Sequence, residues 1–336
     1  MSEKHKRIAY FDNLKGILIA LVVLGHVISP VIASNPYANL LHHVIYLFHM
    51  PLFVFTTGLF SASVFSSGTL KVERIFSYTL LALGLQLFAV LPFHSLEELL
   101  SNLFIFNSAA WYLFSCAIWF ALTPLVDRMK PIPALVTSVC ISLIAGGLPQ
   151  LGDFLALSRT LVFLPWFVGG RLTRPERVQN FIRRRRLSTP LAIGGILALT
   201  AYVFLHDAVE PAFYLAYGAL PYQGSFLVGV AGRLGFTAAA LLISCTLLSI
   251  TSDKPIPLLS IPGTRTLEIF VVHRFVRMGL RFMGFYGIPA IELSPEGLAF
   301  LILASCAVTW LSALPIWTMP IQAVAHLRWR AFLEQQ

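Results

Sequence analysis

Phe11-Asp12-Asn13-Leu14-Lys15-Gly16-Ile17-Leu18-Ile19-Ala20-Leu21-Val22-Val23-Leu24-Gly25-His26 is the stretch on which the reading of this chain turns. A polar, cationic opening runs without a break into apolar helix, and an imidazole closes it. Lys15 and His26 are separated by eleven positions. At ~100° per residue that is about three full turns, so the two side chains share nearly one face. At ~1.5 Å per residue they stand ~16 Å apart along the axis, about half the depth of a bilayer core. One end of the face can meet an anion from the water, and the other offers an imidazole at depth.

Composition names the solvent. Of the 336 residues 57% are hydrophobic and only 12% are charged, with a mean hydropathy of +0.79. Soluble domains carry roughly twice that share of charge. A chain this apolar has more surface than an aqueous fold can hide, so lipid must cover most of it. The basic residues before Tyr10 precede an apolar run with no small-residue cleavage pattern. That run therefore reads as a retained first helix and not as a signal peptide.

Apolar windows of spanning length fall near 16–34, 44–65, 75–93, 110–126, 132–149, 154–172, 190–206, 226–250, 264–284 and 297–318. The expected fold is all-α, a polytopic membrane protein of about ten helices with both termini cytoplasmic. It reads as one domain over 1–336, with a cytoplasmic segment 1–15 and a cytoplasmic tail 319–336. Charge placement supports the orientation. Lys4, Lys6, Arg7 and Lys15; Lys71 and Arg74; Arg128 and Lys130; Arg171, Arg174, Arg177 and Arg183 to Arg186; Lys254 and Arg265; and Arg328 and Arg330 all fall on one side. The other side holds Glu97, Glu98, Asp153, Asp207, Glu210, Glu292 and Glu296. The net charge of +9 is thus a set of loop charges and not a nucleic-acid surface. The Arg183 to Arg186 run reads as an anchor on the anionic inner leaflet.

Arg159, Arg233, Arg274, Arg277 and Arg281 are the positives that fall inside windows. Each costs at least ~2.5 kcal/mol at the centre of a membrane helix, so such residues normally face a cavity or a partner. With the orientation above, Arg159 and Arg233 lie in the outer third, His273 near the midplane and Arg277 above it. His273 and Arg277 share a face at i, i+4. Arg274 has Glu268 as a candidate partner, and Arg281 can snorkel outward. His26 lies slightly beyond the midplane and His49 in the outer third, just before Pro51. Taken together, His49, Arg159, Arg233, His273 and Arg277 outline a polar cavity entered from outside.

Other signals are weaker. His42, His43, His49 and His26 lack the carboxylate or thiolate help that zinc sites use, so no metal is expected. No G-x-S-x-G elbow supplies a serine nucleophile. Leu96, Leu99, Leu100 and Leu103 form an amphipathic pattern within 94–107 that suits an interfacial helix. Tyr214, Tyr217 and Tyr222 suit an aromatic belt or a sugar-stacking rim. Cys116, Cys140, Cys245 and Cys306 read as buried free thiols.

The run from Phe11 through Lys15 to Gly25-His26 resembles the R/K-x10-H signature of the membrane acyltransferase-3 family. His49-Met50-Pro51-Leu52-Phe53-Val54-Phe55-Thr56-Thr57-Gly58 resembles its second-helix motif. Lys71-Val72-Glu73-Arg74 falls where many members carry R-x-x-R, and Trp111-Tyr112-Leu113 resembles the aromatic start of their fourth helix. Arg159 through Gly169-Gly170 is similar to the fucose 4-O-acetylase-like branch. Thr266-Leu267-Glu268-Ile269-Phe270-Val271-Val272-His273 resembles the late helix that ends in a histidine. The resemblance implies cytoplasmic acyl-CoA as donor substrate and O-acylation of a glycan or related hydroxyl compound. Lys15 and Lys71 replace the commoner arginines and keep the charge without the bidentate fork.

The resulting expectation is a multi-pass O-acyltransferase of the cell membrane. It needs no bound cofactor, takes acetyl-CoA as the default donor and modifies a carbohydrate or lipid-linked glycan. Lys15, Lys71 and Arg74 would hold the donor's phosphates. His26 would act as general base or transient acyl carrier, with Arg159 or His273 donating to the oxyanion. The rival expectation is a transporter or flippase for a glycan-lipid or polar solute, which uses intramembrane His and Arg equally well.

Overall fold

The computed structural model describes residues 8–93, 95–183 and 185–325. His94, Lys4, Lys6, Arg7, Arg184, Arg328 and Arg330 lie outside them. Among the described residues, helices account for nearly all of the regular structure. The exception is a short hairpin that pairs Phe65–Ser66 with Thr69–Leu70. Its turn residues Ser67 and Gly68 both take positive φ, 52° and 79°, the backbone that a tight two-residue hairpin turn requires.

Among the described residues, six helices are long and apolar enough to cross a membrane: Ala9–Val31, Pro36–Leu59, Val72–Phe93, Ala110–Arg128, Phe226–Ile250 and Pro295–Ser312. The first of these combines Ala9–Ile28 with the 3-10 turn that follows it. The pair Thr189–Phe204 and His206–Ala212 is apolar enough when taken together but is bent by 81°, the form of a broken span or a re-entrant loop. Phe226–Ile250 leaves Leu227 and Val228 open on its surface at 78% and 68% exposure. Apolar surface in that amount requires lipid, so the molecule is a multi-pass membrane protein.

The other apolar windows take shorter forms. Window 132–149 becomes Pro131–Ala145, only 15 residues long. Window 154–172 divides into Leu157–Val162 and Leu164–Arg171. Pro165 has no N–H to give to the carbonyl four residues back, so the helix restarts there. Window 264–284 becomes Thr266–Phe282, whose length is 17 residues and whose C-terminal half carries the three arginines. The expected interfacial helix is Leu96–Asn102, closed by a capping box between Ser95 and Glu98.

The chain forms two compact units. The first comprises the described parts of 1–53, 182–210 and 239–321, and the second those of 54–181 and 211–238. In the first unit the helix Ala9–Ile28 is the core. Phe11, Leu14, Leu18, Ile19, Val23 and Val27 are sealed from solvent. It packs against Pro257–Gly263, Thr266–Phe282 and Pro295–Ser312. Gly16 lies against the carbonyl of Leu259, and Gly263 against that of Asp12. A Cβ at either would collide with backbone, so this crossing exists only because both residues are glycine.

In the second unit, Val72–Val90 packs against Ala110–Arg128. Trp119 is fully buried, donates from Nε1 to the Thr160 carbonyl at 3.0 Å and lies against Phe167. Gly58 meets the Phe167 carbonyl and Gly170 that of Phe55, a reciprocal backbone contact. Two of the quoted motifs, Thr57-Gly58 and Gly169-Gly170, thus include a packing joint. The thiols of Cys140 and Cys306 are exposed rather than buried, because both residues point out of the helix packing.

Candidate active site

Asn13 anchors the entry of the first helix. Its amide Nδ2 donates to the carbonyls of Ser252 at 2.9 Å and Lys254 at 2.7 Å, and its Oδ1 accepts from the N–H of Ile256 at 3.1 Å. With Asn13 fully buried, those bonds tie the loop before Pro257 to the helix start. Lys15, two residues on, is not a bare cation. It pairs with Asp12 at 2.9 Å, and both side chains keep some exposure.

Toward the other end of this helix, His26 meets His273. Its Nδ1 lies 2.8 Å from His273 Nε2. The ring planes are within 2° of parallel with centroids 5.1 Å apart. With nitrogens so much closer than centroids, the rings meet edge to edge and not face to face. His273 Nδ1 lies 2.7 Å from the carbonyl of Ile269, which can only accept. The proton assignments follow from this. His273 carries its hydrogen on Nδ1, so its Nε2 accepts, and the hydrogen between the rings belongs to His26 Nδ1. His26 Nε2 is left with its lone pair and makes no hydrogen bond among the described residues. His273 is completely buried, whereas His26 retains partial exposure.

The surroundings come from the second helix, Pro36–Leu59. Gly25 lets Tyr46 approach; a Cβ there would lie 2.7 Å from Tyr46 Cε2. The Tyr46 ring sits between His42, at 3.9 Å, and His49, at 4.7 Å. His49 is buried with Nδ1 2.7 Å from the carbonyl of Ile45, and it is an electrostatic neighbour of His26. His43 Nδ1 lies 3.1 Å from His206 Nε2, and His206 Nδ1 3.3 Å from Asp207.

Beyond the His26–His273 pair stand the arginines of Thr266–Phe282. Arg277 Nη2 donates to Ser29 Oγ at 3.1 Å, and Ser29 Oγ donates to the carbonyl of His26 at 3.1 Å. Arg274 makes neither a hydrogen bond nor an ion pair among the described residues. In particular it does not pair with Glu268, which lies six positions back, about 120° around the helix and ~9 Å along it. Glu268 is itself buried. Burial holds the Tyr286 phenol above its ordinary value, and Arg277 and Arg274 offset part of that shift, which places all three groups close together. Arg281 is exposed near the C-terminal end of the helix.

The remaining predicted residues belong to the second unit. Arg159 pairs with Asp153 at 3.4 Å, donates to the Phe106 carbonyl at 3.2 Å and lies over the Trp111 ring at 5.5 Å. Arg233 is 3% exposed, lies 5.0 Å from the Tyr222 ring centroid, and has no hydrogen bond on any guanidinium nitrogen. Tyr222 packs on Gly146 and Gly229 and donates to the Leu143 carbonyl at 3.0 Å. It is a packed and stacked residue and not a free rim. Lys71 is the exposed N-cap of Val72–Val90, directly after the hairpin, and Arg74 lies in the first turn. Arg171, read as a loop charge, braces this region. It makes a two-point pair with Asp127 and donates to Ser61 Oγ at 3.3 Å and the Phe65 carbonyl at 3.0 Å.

Sequence reasoning missed Asn13 and Tyr46. A buried amide at the mouth of an apolar run was the available signal for Asn13. Nothing in the sequence pairs Tyr46 with Gly25. It offered Arg159 or His273 for the oxyanion; both ring nitrogens of His273 are engaged, one by His26 and one by Ile269.

A family model described as "Acyltransferase domain" matches residues 8–316. No curated protein and no solved structure matches the chain.

Proposed function

The chain belongs to the acyltransferase-3 family, and from that premise we propose that it moves an acyl group, acetyl by default, from cytoplasmic acyl-CoA to a hydroxyl of a glycan or lipid-linked glycan. The observation that carries this reading is the Ile269–His273–His26 relay, which leaves His26 Nε2 unprotonated and unengaged. Family membership makes the protein a membrane acyltransferase. The donor, the acceptor, the ten-span topology, the fucose 4-O-acetylase-like branch and the residue roles are our proposal.

His26 Nε2 takes the proton of the acceptor hydroxyl as its oxygen attacks the thioester carbonyl. A positioned base of this kind supplies about 10²–10⁴ in rate. The imidazolium so formed keeps its Nδ1 hydrogen directed at His273 Nε2, which supports the new charge without a proton moving further. When the tetrahedral intermediate collapses, the C–S bond breaks and His26 returns the proton to the leaving thiolate. No net proton is released, and the activated thioester demands no oxidant or reductant. Lys15 stands ~16 Å from His26 on the same helix, the order of length of the donor's pantetheine arm. It is the first-unit candidate for a donor phosphate, which would share it with Asp12. Lys71 and Arg74 carry the same assignment from the second unit.

The test is acyl transfer by purified protein. His26→Ala should remove transfer from acetyl-CoA while stabilisation by acetyl-CoA persists. Transfer at the wild-type rate would end the assignment. Stabilisation by acetyl-CoA but not by ATP separates the enzyme from a transporter. Mass spectrometry of surface glycans with and without the protein, read for loss of an acyl mass, identifies the acceptor.

A further inference from the structure

We propose that the acyl acceptor is itself an anion, a hydroxyl compound whose carboxylate or phosphate is bound by Arg274 and Arg277 beyond the His26–His273 pair. This rests on the reading of His26 as the transfer centre and names the substrate class of that site.

Position comes first. Arg274 directly follows His273, and Arg277 lies one turn further along the same helix. Arg277 is bonded to Ser29, which is one turn past His26 on the first helix. The guanidiniums therefore flank the pair on the side opposite Lys15, where an acceptor and not the donor's phosphates would arrive.

Charge comes second. Neither arginine forms an ion pair among the described residues. Arg274 makes no hydrogen bond there, and Arg277 Nε is buried without an acceptor. The Tyr286 hydroxyl is likewise buried without a partner. The ionisable neighbours of the two arginines are the phenols of Tyr286 and Tyr46, which are neutral at physiological pH, and other arginines, so none of them answers the positive charge. Two like charges side by side at membrane depth each cost at least ~2.5 kcal/mol. A neutral sugar hydroxyl returns little of that. A carboxylate or phosphate answers both charges and accepts from the guanidinium forks and from the phenol at once. A single transient oxyanion leaves one of the two arginines unanswered.

The experiment uses the full-length protein in detergent at fixed ionic strength. Thermal stabilisation is titrated with glucuronate, glucose 6-phosphate and glucose, which share one carbon skeleton. Glucuronate or glucose 6-phosphate should stabilise the protein at concentrations about tenfold to a hundredfold below those glucose needs, the range for hydrogen bonds to a charged group. Whichever acts identifies carboxylate or phosphate. Arg274→Gln and Arg277→Gln should each abolish the preference, with Arg274→Lys retaining part of it. Coenzyme A should not displace the anionic sugar. Glucose acting equally, no stabilisation by either anion, or displacement by coenzyme A overturns the proposal, and the wild-type comparison stands even if a variant fails to fold. Acetyl-CoA in the same assay reports separately on the donor. Loss of that signal with the anion preference intact would fault the acyltransfer reading and leave the anion site standing.

Discussion

Replacing His273 by leucine tests the relay at the one point where the structure gives it a magnitude. Leucine is close to histidine in size, so little cavity forms, but it can accept nothing from His26 Nδ1. The 2.8 Å bond to a histidine that becomes charged during transfer is lost. Hydrogen bonds to charged groups contribute about 1.5–3 kcal/mol. Because this charge exists only as the proton is taken, the loss falls on the barrier, and kcat should drop by about 10- to 150-fold. The acetyl-CoA KM should hardly change, since His273 meets the first helix at His26, ~16 Å along the axis from Lys15. His273→Gln provides the control. Its amide oxygen can accept from His26, so it should recover most of the lost rate, while a merely structural histidine would give no such rescue. The assay is continuous detection of free thiol released from acetyl-CoA, with thermal stabilisation by acetyl-CoA confirming that each variant is folded. If the leucine variant stays within twofold of wild type, or the leucine and glutamine variants are equally impaired, the relay does not support His26.

Lys15→Ala should raise the acetyl-CoA KM by about tenfold and leave the acceptor KM unchanged, on the scale of one charged hydrogen bond. Equal effects on both substrates in steady-state kinetics would make Lys15 a structural partner of Asp12. Asn13→Ala removes three bonds to the 252–256 loop from a fully buried site. It should cost about 1–3 kcal/mol, read as a lower melting temperature in detergent; an unchanged melting temperature would mean that the loop holds without Asn13. Arg233→Met exchanges an unbonded buried guanidinium for an apolar side chain. Desolvation of such a charge costs several kcal/mol, against about 2 kcal/mol from the Tyr222 ring. The melting temperature should therefore hold or rise, and a fall would show that Arg233 is held by an acceptor or a bound anion.

The membrane character of the chain was legible because it depends on local composition. A run such as Phe226–Ile250 is apolar around its whole circumference, and no tertiary arrangement alters the solvent it needs. The weak windows were harder to read. Hydropathy averages over Pro165 and over the Thr266–Phe282 arginines, yet a missing N–H and a short helix are what decide their shape. The polar set was partly legible too. His26, His273 and Arg277 do gather in one unit, since charges at depth need company. Their individual roles were not legible, because His26 and His273 are 247 positions apart in sequence. The same holds for Arg159 and Arg233, whose depth in the sequence said nothing of the Trp111 and Tyr222 rings beside them.

By itself, then, the sequence determined the solvent, the helical class and the one face that carries Lys15 and His26, because each follows from side-chain type and helical period. Only the tertiary structure decided which nitrogen of His26 is free. That depends on a carbonyl at Ile269 and a ring at His273, brought to the first helix by glycine contacts at Gly16 and Gly263 that no local pattern encodes. The Lys15–Asp12 pair is local, three positions apart on one helix, whereas it is the tertiary packing that leaves Arg274 and Arg277 without a carboxylate partner among the described residues. The opening stretch supplies the base and the cation, and the fold decides what each is free to bind.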